Sequence, residues 1–209
     1  MAETVSGSQY QRLHHMLSES AWDRRGVRQQ LIADANAHFG HASALVIDES
    51  AFAKKGDMSA GVARQWNGRL GKTDNSQVGV FAAVVRDRVA ALVEGELYVP
   101  EEWFADAARC QEAGLPEGLA FCTKGAMALR MIHRLRREGL HFAHIVFDAG
   151  YGHLPWLLRA LEGERETFLA EVHADQAIYL CDPAPAVPAR QSTKGKAPSR
   201  LQPQTQPLT

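Results

Sequence analysis

The amino-acid sequence predicts an α/β fold in which helices pack on a mixed β-sheet. Apolar residues alternate between strand-like runs and helix-like periodicity along residues 10–172. Two of the runs, at 78–85 and 89–99, are separated only by Arg86-Asp87-Arg88, which predicts an antiparallel hairpin. The order that results, three strands followed by helix, strand, helix and strand, is typical of a mixed sheet covered by helices.

Two helices are predicted before the first strand. Residues 10–17 have helical periodicity, and Ser20 with Asp23 provides capping chemistry for a second helix over 24–39 that ends at Gly40. The predicted apolar face of this second helix consists of Val27, Leu31, Ala35 and Phe39.

The first predicted strand, ALVID at 44–48, is a short apolar run that ends at an acid. A connection rich in glycine and lysine follows over 54–75 and predicts a loop. Pro100 ends the hairpin and precedes a predicted helix over 101–109 with an acidic first turn.

The second half of the chain predicts the rest of the sheet. A helix over 124–138 ends before Gly139, and the strand HFAHIVFD at 141–148 again closes with an acid. A helix over 154–162 and a strand over 167–172 complete the order.

Composition excludes several classes of protein. The net charge is −1 and the computed pI is about 6.8, so no overall basic surplus points to nucleic acid or membrane. Three widely spaced cysteines without a CxxC pair exclude a disulfide framework and a zinc knuckle. No run approaches the roughly 18 apolar residues of a membrane span, so we expect a cytoplasmic protein without a membrane partner.

The chain divides into three predicted parts. Residues 1–42 form an N-terminal helical segment, and residues 43–182 form the folded domain. Residues 183–209 contain six of the nine prolines and four basic residues without an acid, which predicts a disordered, basic tail.

Asp48 and Asp148 each end a predicted apolar strand. Strand ends in α/β sheets converge on a crevice that binds ligands, so the two acids could share one site. Neighbouring carboxylates repel unless a cation or proton intervenes, and Mg²⁺ prefers carboxylates together with phosphate oxygens. Paired metal ions of this kind serve phosphodiester chemistry. An acid at a strand end also commonly caps a loop, and this alternative stays open for each residue.

The segment after Asp48 carries cations that predict contacts with phosphates, although a solvated loop would explain the same charges. These candidate DNA-binding residues are Lys54, Lys55, Arg64 and Lys72. Trp66 and Tyr151 could stack on bases or pack at the rim of the sheet. The nine histidines show no spacing of metal ligands.

Several motifs together resemble insertion-sequence transposases of the DDE superfamily. ALVIDESAFAKKGDMSAGVARQWNGRLGKTDNSQVGVFAAVV resembles the first catalytic block, and HIVFDAGYGHLPWLLRAL resembles the second. YVPEEWFADAARCQEAGLPEGLAFCTKGAMAL is similar to the segments between them, and LSESAWDRRGVRQQL to the helix before the first strand. The resemblance extends from about Tyr10 to Ala186.

The resemblance implies an RNase H-like fold in which Asp48 and Asp148 are catalytic and hold two Mg²⁺ (or Mn²⁺) ions. It implies that a metal-activated water nicks DNA at transposon ends and that the freed 3′ hydroxyl then attacks target DNA. DNA is thus the implied partner, and the resemblance also allows a homo-oligomer. The family's Asp-Asp-Thr reads Asp48-Glu49-Ser50 here, which leaves Asp48 or Glu49 as the first ligand. We favour Asp48, and only one of the two can face the site because adjacent strand residues point to opposite sides.

The family's third acid, a Glu on a later helix, has no counterpart in this chain. We therefore expect a truncated transposase whose RNase H-like core lacks its C-terminal part, with an incomplete active site and no activity alone. An uncovered sheet face or edge is then expected. The alternative is a non-catalytic DNA-binding remnant or regulator of an intact transposase. An unrelated metal-dependent phosphatase is disfavoured because no DxD pair follows the first strand.

Overall fold

A six-stranded mixed sheet forms the centre of the protein, which a computed structural model describes over residues 10–21, 23–177, 179, 181–190 and 196–207. The strands are β1 (Ala44–Ala53), β2 (Ala63–Asn67), β3 (Lys72–Arg86), β4 (Val89–Tyr98), β5 (His144–Phe147) and β6 (Phe168–Ala170). Their order is β2-β3-β1-β5-β6, and β4 pairs with the second half of β3. The β1–β5 and β5–β6 pairs are parallel and the others antiparallel. This topology confirms the predicted α/β fold and is the RNase H-like arrangement.

Polar side chains cap the N-terminal ends of several of the described helices. They are α1 (Tyr10–Ser18), α2 (Arg24–Phe39), α3 (Ala107–Glu112), α4 (Lys124–Arg137), α5 (Ala149–Gly152) and α6 (Pro155–Gly163), with a 3₁₀ helix at Glu101–Ala105. Asp23 accepts a hydrogen bond from the amide of Arg25 at 2.8 Å, and Thr123 accepts one from Ala126 at 3.3 Å. The predicted bounds of α2 and α4 are therefore confirmed to within one residue.

The predicted continuous helix over 101–109 is wrong. Asp106 has extended backbone and accepts a hydrogen bond from the amide of Arg109 at 2.9 Å, so it caps a new helix, α3. The segment therefore divides into the 3₁₀ helix and α3.

One face of the sheet carries the hydrophobic core. Alternate residues of β1, β3 and β5, with Val93 of β4, point to this face, where α2, α4 and α6 cover them in one cluster. The prediction for α2 is correct for Ala35 and Phe39, which are buried, but wrong for Val27, which is 57% exposed, while Ile32 is buried instead. The C-terminal half of α2 supplies these core contacts, and Val27 lies near its other end.

The opposite face of the sheet, called the open face below, carries Val46, Phe81, Ala83 and Val146 half-buried and Leu169 66% exposed. The ring of Phe81 lies flat over two glycines. A Cβ atom on Gly79 or Gly95 would come within 2.7 or 2.8 Å of that ring, so only glycine fits there. The sheet thus packs an aromatic ring against its own backbone on this face.

Two strand predictions need correction. β1 does not end at Asp48 but continues to Ala53, because each of its residues pairs with one in β3 up to Ala53 and Ser76. The predicted loop over 54–75 contains β2, whose edge is held by polar side chains. Asn67 donates to Ser76 Oγ at 3.0 Å, and Gln65 donates to the Ser76 carbonyl at 3.1 Å. β5 and β6 are shorter than predicted.

The predicted tail is described only in part, since residues 191–195 and 208–209 lie outside the described residues. In the described stretches, Ala186 and Gln202 exchange two backbone hydrogen bonds of 3.0 and 2.9 Å. Residues 1–9 of the predicted N-terminal segment, and Trp22 of its motif, also lie outside the description. None of the helices described here has the length and apolar character that crossing a membrane requires.

Candidate active site

Asp48 and Asp148 lie side by side on neighbouring parallel strands. Ile47 of β1 and Phe147 of β5 are paired in register, and each acid is the next residue along its chain. Because adjacent strands are about 4.8 Å apart, the two acids are neighbours across the sheet. Both line one cleft of about 200 Å³. The structure therefore brings together the two residues that the sequence predicts as catalytic.

Strand alternation separates Asp48 from Glu49. Asp48 is exposed and pairs with Phe81 on the open face, and one of its oxygens accepts a hydrogen bond from the Glu49 amide at 2.7 Å. Glu49 lies on the side of the helices, where Lys124 Nζ is 2.8 Å from its carboxylate. Glu49 borders the cleft, but its charge is already paired with the first residue of α4. Asp48 is thus the acid that stands unpaired beside Asp148.

Asp148 also caps a helix. Its side chain accepts a hydrogen bond from the Gly150 amide at 3.0 Å at the start of the four-residue helix α5. A Cβ atom on Gly150 would come 3.1 Å from one carboxylate oxygen and 3.4 Å from the other, so the glycine leaves room for this carboxylate. The loop-capping role that the sequence left open is therefore present, and it engages one oxygen.

The donor set fits a hard divalent cation. Among the residues that the structure describes, neither Asp48 nor Asp148 forms an ion pair, although Glu49 beside them does. Two such carboxylates repel each other, and a divalent ion removes that repulsion. Carboxylate oxygens with open positions for water or phosphate are what Mg²⁺ prefers. The described residues contain no group of three or more His, Cys, Asp or Glu side chains able to hold a metal, so Asp48 and Asp148 are the candidate ligands that they offer in this cleft.

Tyr151 lies in the hydrophobic core near the acids, three residues after Asp148. It is 2% exposed, its ring centroid is 5.6 Å from that of Phe147, and its hydroxyl has no hydrogen-bond partner among the described atoms. Burial raises the pKa of Tyr151, and the charges of Glu49, Asp148 and Asp48 raise it further. The phenol is therefore held as a neutral donor. The sequence left stacking on bases and packing beside the sheet open for this residue, and its burial in the core agrees with packing. Nothing in its pattern indicates a buried hydroxyl without a described partner.

The predicted DNA-binding residues lie along one edge, between the end of β1 and the β2–β3 hairpin. Asn75 organises this edge, because its side chain donates to the carbonyls of Lys54 and Gly56 at 3.1 and 2.6 Å. Lys55 and Arg64 are exposed, Lys54 is half-buried, and Lys72 pairs with Asp74 at 3.0 Å. That pairing neutralises part of the charge of Lys72.

A family model described as DDE superfamily endonuclease matches residues 1–209. The chain belongs to this family. It is also 33% identical over 155 residues to a probable transposase for insertion sequence element IS701 from Microchaete diplosiphon. That alignment covers 73% of this chain and 37% of the relative, so the chain spans well under half the length of the relative it matches.

Membership fits the geometry described above. DDE transposases generally use divalent metal ions and act on DNA, and the two neighbouring acids provide oxygen atoms of the kind that such ions prefer. The sequence offered Trp66 for base stacking but did not place it beside the two acids. Trp66 lines the same cleft as both acids, but only the pairing of β2 with β3 reveals its position.

Proposed function

We propose that this chain is the catalytic region of an insertion-sequence transposase, with Asp48 and Asp148 as the residues that hold Mg²⁺ for DNA cleavage and strand transfer. The supporting observation is the placement of these two carboxylates on adjoining strands in one cleft without a described cation. Mn²⁺ has the same preference for oxygen ligands and would substitute for Mg²⁺.

The proposal gives a role to the two acids and to the residues next to them. When bound, the metal pair activates a water or hydroxyl and stabilises the leaving oxygen of the phosphodiester. Asp48 and Asp148 supply carboxylate oxygens, and Gly150 keeps space free beside Asp148. Lys124 neutralises Glu49, so Glu49 does not add a third bare negative charge where the DNA phosphate enters.

We propose further that the chain is inactive alone. Two carboxylates hold a metal pair weakly. Loss of a side chain that only supports a metal ligand already costs about 10- to 100-fold in affinity or activity, so a missing ligand costs at least as much. The described residues offer no third acid to the site.

The same observation favours a second candidate, a DNA-binding protein that regulates an intact transposase without catalysing a reaction. The exposed Lys55 and Arg64 on the edge beside the site would serve phosphate contacts in either role. The three-part division of the chain, assembly into a homo-oligomer and a cytoplasmic location belong to this proposal as expectations.

The test measures DNA binding and DNA cleavage by the intact chain. We expect salt-sensitive binding to duplex DNA, and the double variant Lys54→Glu, Lys55→Glu should bind more weakly and reduce the salt slope by about 2. The matched control is Arg88→Glu, Arg137→Glu, which reverses two exposed cations away from the site.

Four outcomes are informative. Unchanged affinity and slope in the Lys54, Lys55 variant would contradict the predicted DNA contact, and no binding at all would contradict the DNA partner. With labelled insertion-sequence ends and Mg²⁺ we expect no nicking by the chain alone. Nicking that disappears in Asp148→Asn would support catalysis and overturn the proposed inactivity.

A further inference from the structure

Trp66 is a large apolar side chain that the fold leaves in solvent. Its indole is 60% exposed on β2. The residues on either side turn inward instead: Gln65 donates to the carbonyls of Gly61 and Ser76 at 3.3 and 3.1 Å, and Asn67 is buried. Polar hydrogen bonds therefore hold β2 in place, and the indole contributes little to the hairpin.

Among the exposed large apolar side chains that the structure describes, Trp66 is the one that lines the cleft of the two acids. It lines the same cleft as Asp48 and Asp148, together with Gly68. A Cβ atom on Gly68 would come 3.9 Å from the indole Nε1, so the glycine leaves that edge of the ring free. An aromatic surface thus stands beside the carboxylate pair.

The guanidinium group of Arg64 lies on the same face of β2 as the indole of Trp66. Arg64 is two residues before Trp66, so both side chains project from one face of the strand. Arg64 is exposed and donates to the Thr73 carbonyl at 3.4 Å. A positive charge next to an exposed aromatic ring is the combination that binds single-stranded nucleic acid, since the charge follows the phosphates and the ring stacks on a base.

We propose that Trp66 binds DNA by stacking on an unpaired base next to the phosphate held at the Asp48–Asp148 cleft. A base in an intact duplex has both faces covered by its neighbours, so a ring can stack only on a base that has left the helix or lies in a single strand. The stacking does not depend on which base is present, because every base has a π-face. This inference rests on the proposed function, since it takes DNA as the ligand of the cleft.

The experiment measures the affinity of the intact chain for fluorescein-labelled oligothymidylate of about 12 nucleotides and for a blunt duplex, by anisotropy in Mg²⁺, because the phosphate is held at the cleft through the cation. Trp66→Ala should lower the affinity for the single strand about tenfold and leave the affinity for the duplex within about twofold. Trp66→Phe keeps an aromatic ring and should retain most of the single-strand affinity. Tyr10→Ala is the control, because Tyr10 is 72% exposed but does not line the cleft.

The salt dependence separates stacking from charge. Trp66→Ala should leave the slope of affinity against salt concentration unchanged, whereas Arg64→Ala should reduce it by about 1. Equal single-strand affinity of Trp66→Ala and the unmodified chain would overturn the stacking inference while the DNA partner stands. Equal losses in Trp66→Ala, Trp66→Phe and Tyr10→Ala would also overturn it. No binding of either DNA by the unmodified chain would contradict the proposed function, and the inference would fall with it.

Discussion

Acidic side chains have different surroundings on the two faces of the sheet. On the face covered by helices, the Glu94 side chain is 8% exposed and lies between Arg28 and Arg134, with Arg134 Nε 3.0 Å from its carboxylate. Glu49 on the same face pairs with Lys124. On the open face, Asp48 and Asp148 share a cleft and form no ion pair with the described residues.

The difference in exposure explains why the acids on the two faces have different partners. Glu94 is buried, so its charge depends on partners supplied by the protein. Asp48 and Asp148 face solvent, so water can hydrate each of them, but their proximity adds a repulsion that only a proton or a cation removes. The fold thus pairs the acid that stabilises it and leaves bare the two acids that stand beside each other.

The largest expected loss of stability follows from substitution of Glu94, the acid that pairs with two arginines. Glu94→Gln removes the carboxylate that Arg28 and Arg134 share. Each arginine keeps a second acid, Glu138 and Glu96 respectively, so we expect the free energy of unfolding to fall by about 2 kcal/mol in urea denaturation. Asp48→Asn removes a charge that has no cationic partner, so it should change that free energy by less than about 0.5 kcal/mol.

The control for this prediction is Glu164→Gln. Glu164 pairs with His133 at 2.9 Å, but both side chains are more than 40% exposed, so its loss should be below about 1 kcal/mol. If Asp48→Asn lowered the free energy of unfolding as much as Glu94→Gln, the different roles inferred for the acids on the two faces would be contradicted.

A smaller effect is expected at Tyr151, whose neutral hydroxyl is buried near the bare acids. Tyr151→Phe removes a donor without a described partner, so we expect the unfolding free energy to stay equal or rise by about 1 kcal/mol. A clear loss of stability would mean that the hydroxyl has an acceptor in the folded chain.

Tyr151→Phe should also change how the stability of the chain depends on pH. Burial, with the nearby carboxylates, raises the pKa of Tyr151 above its unfolded value of about 10. Its contribution to stability is therefore complete below about pH 10 and is lost as pH rises further. The unmodified chain should lose stability above that pH more steeply than Tyr151→Phe, as followed by urea denaturation at stepped pH.

The helices were largely predictable because their signals are local. Asp23 and Thr123 cap α2 and α4 through amides two or three residues away, and Gly139, with φ of +85°, follows the end of α4. The break at Asp106 was missed because a capping aspartate inside a helical pattern resembles a surface residue of a continuous helix.

The strand β2 and much of the site depend on distant residues. Gln65 and Asn67 bond to Ser76, nine or more positions away, so a polar, glycine-rich segment forms a strand that its composition does not predict. The adjacency of Asp48 and Asp148 was predicted from strand ends, but β1 continues to Ala53, and the parallel register of β1 with β5 is what places the two acids side by side. The pairing of Glu49 with Lys124 and the position of Trp66 follow from strand register, which one sequence does not determine.

The central claim is that Asp48 and Asp148 hold one metal site between them, and the thermal unfolding midpoint of the intact chain across a Mn²⁺ or Mg²⁺ titration tests it most directly. We predict that the midpoint rises with metal in the unmodified chain and in Asp87→Asn, a control at an exposed turn, and that the rise disappears in both Asp48→Asn and Asp148→Asn. An equal rise in either of these two variants would contradict the shared site.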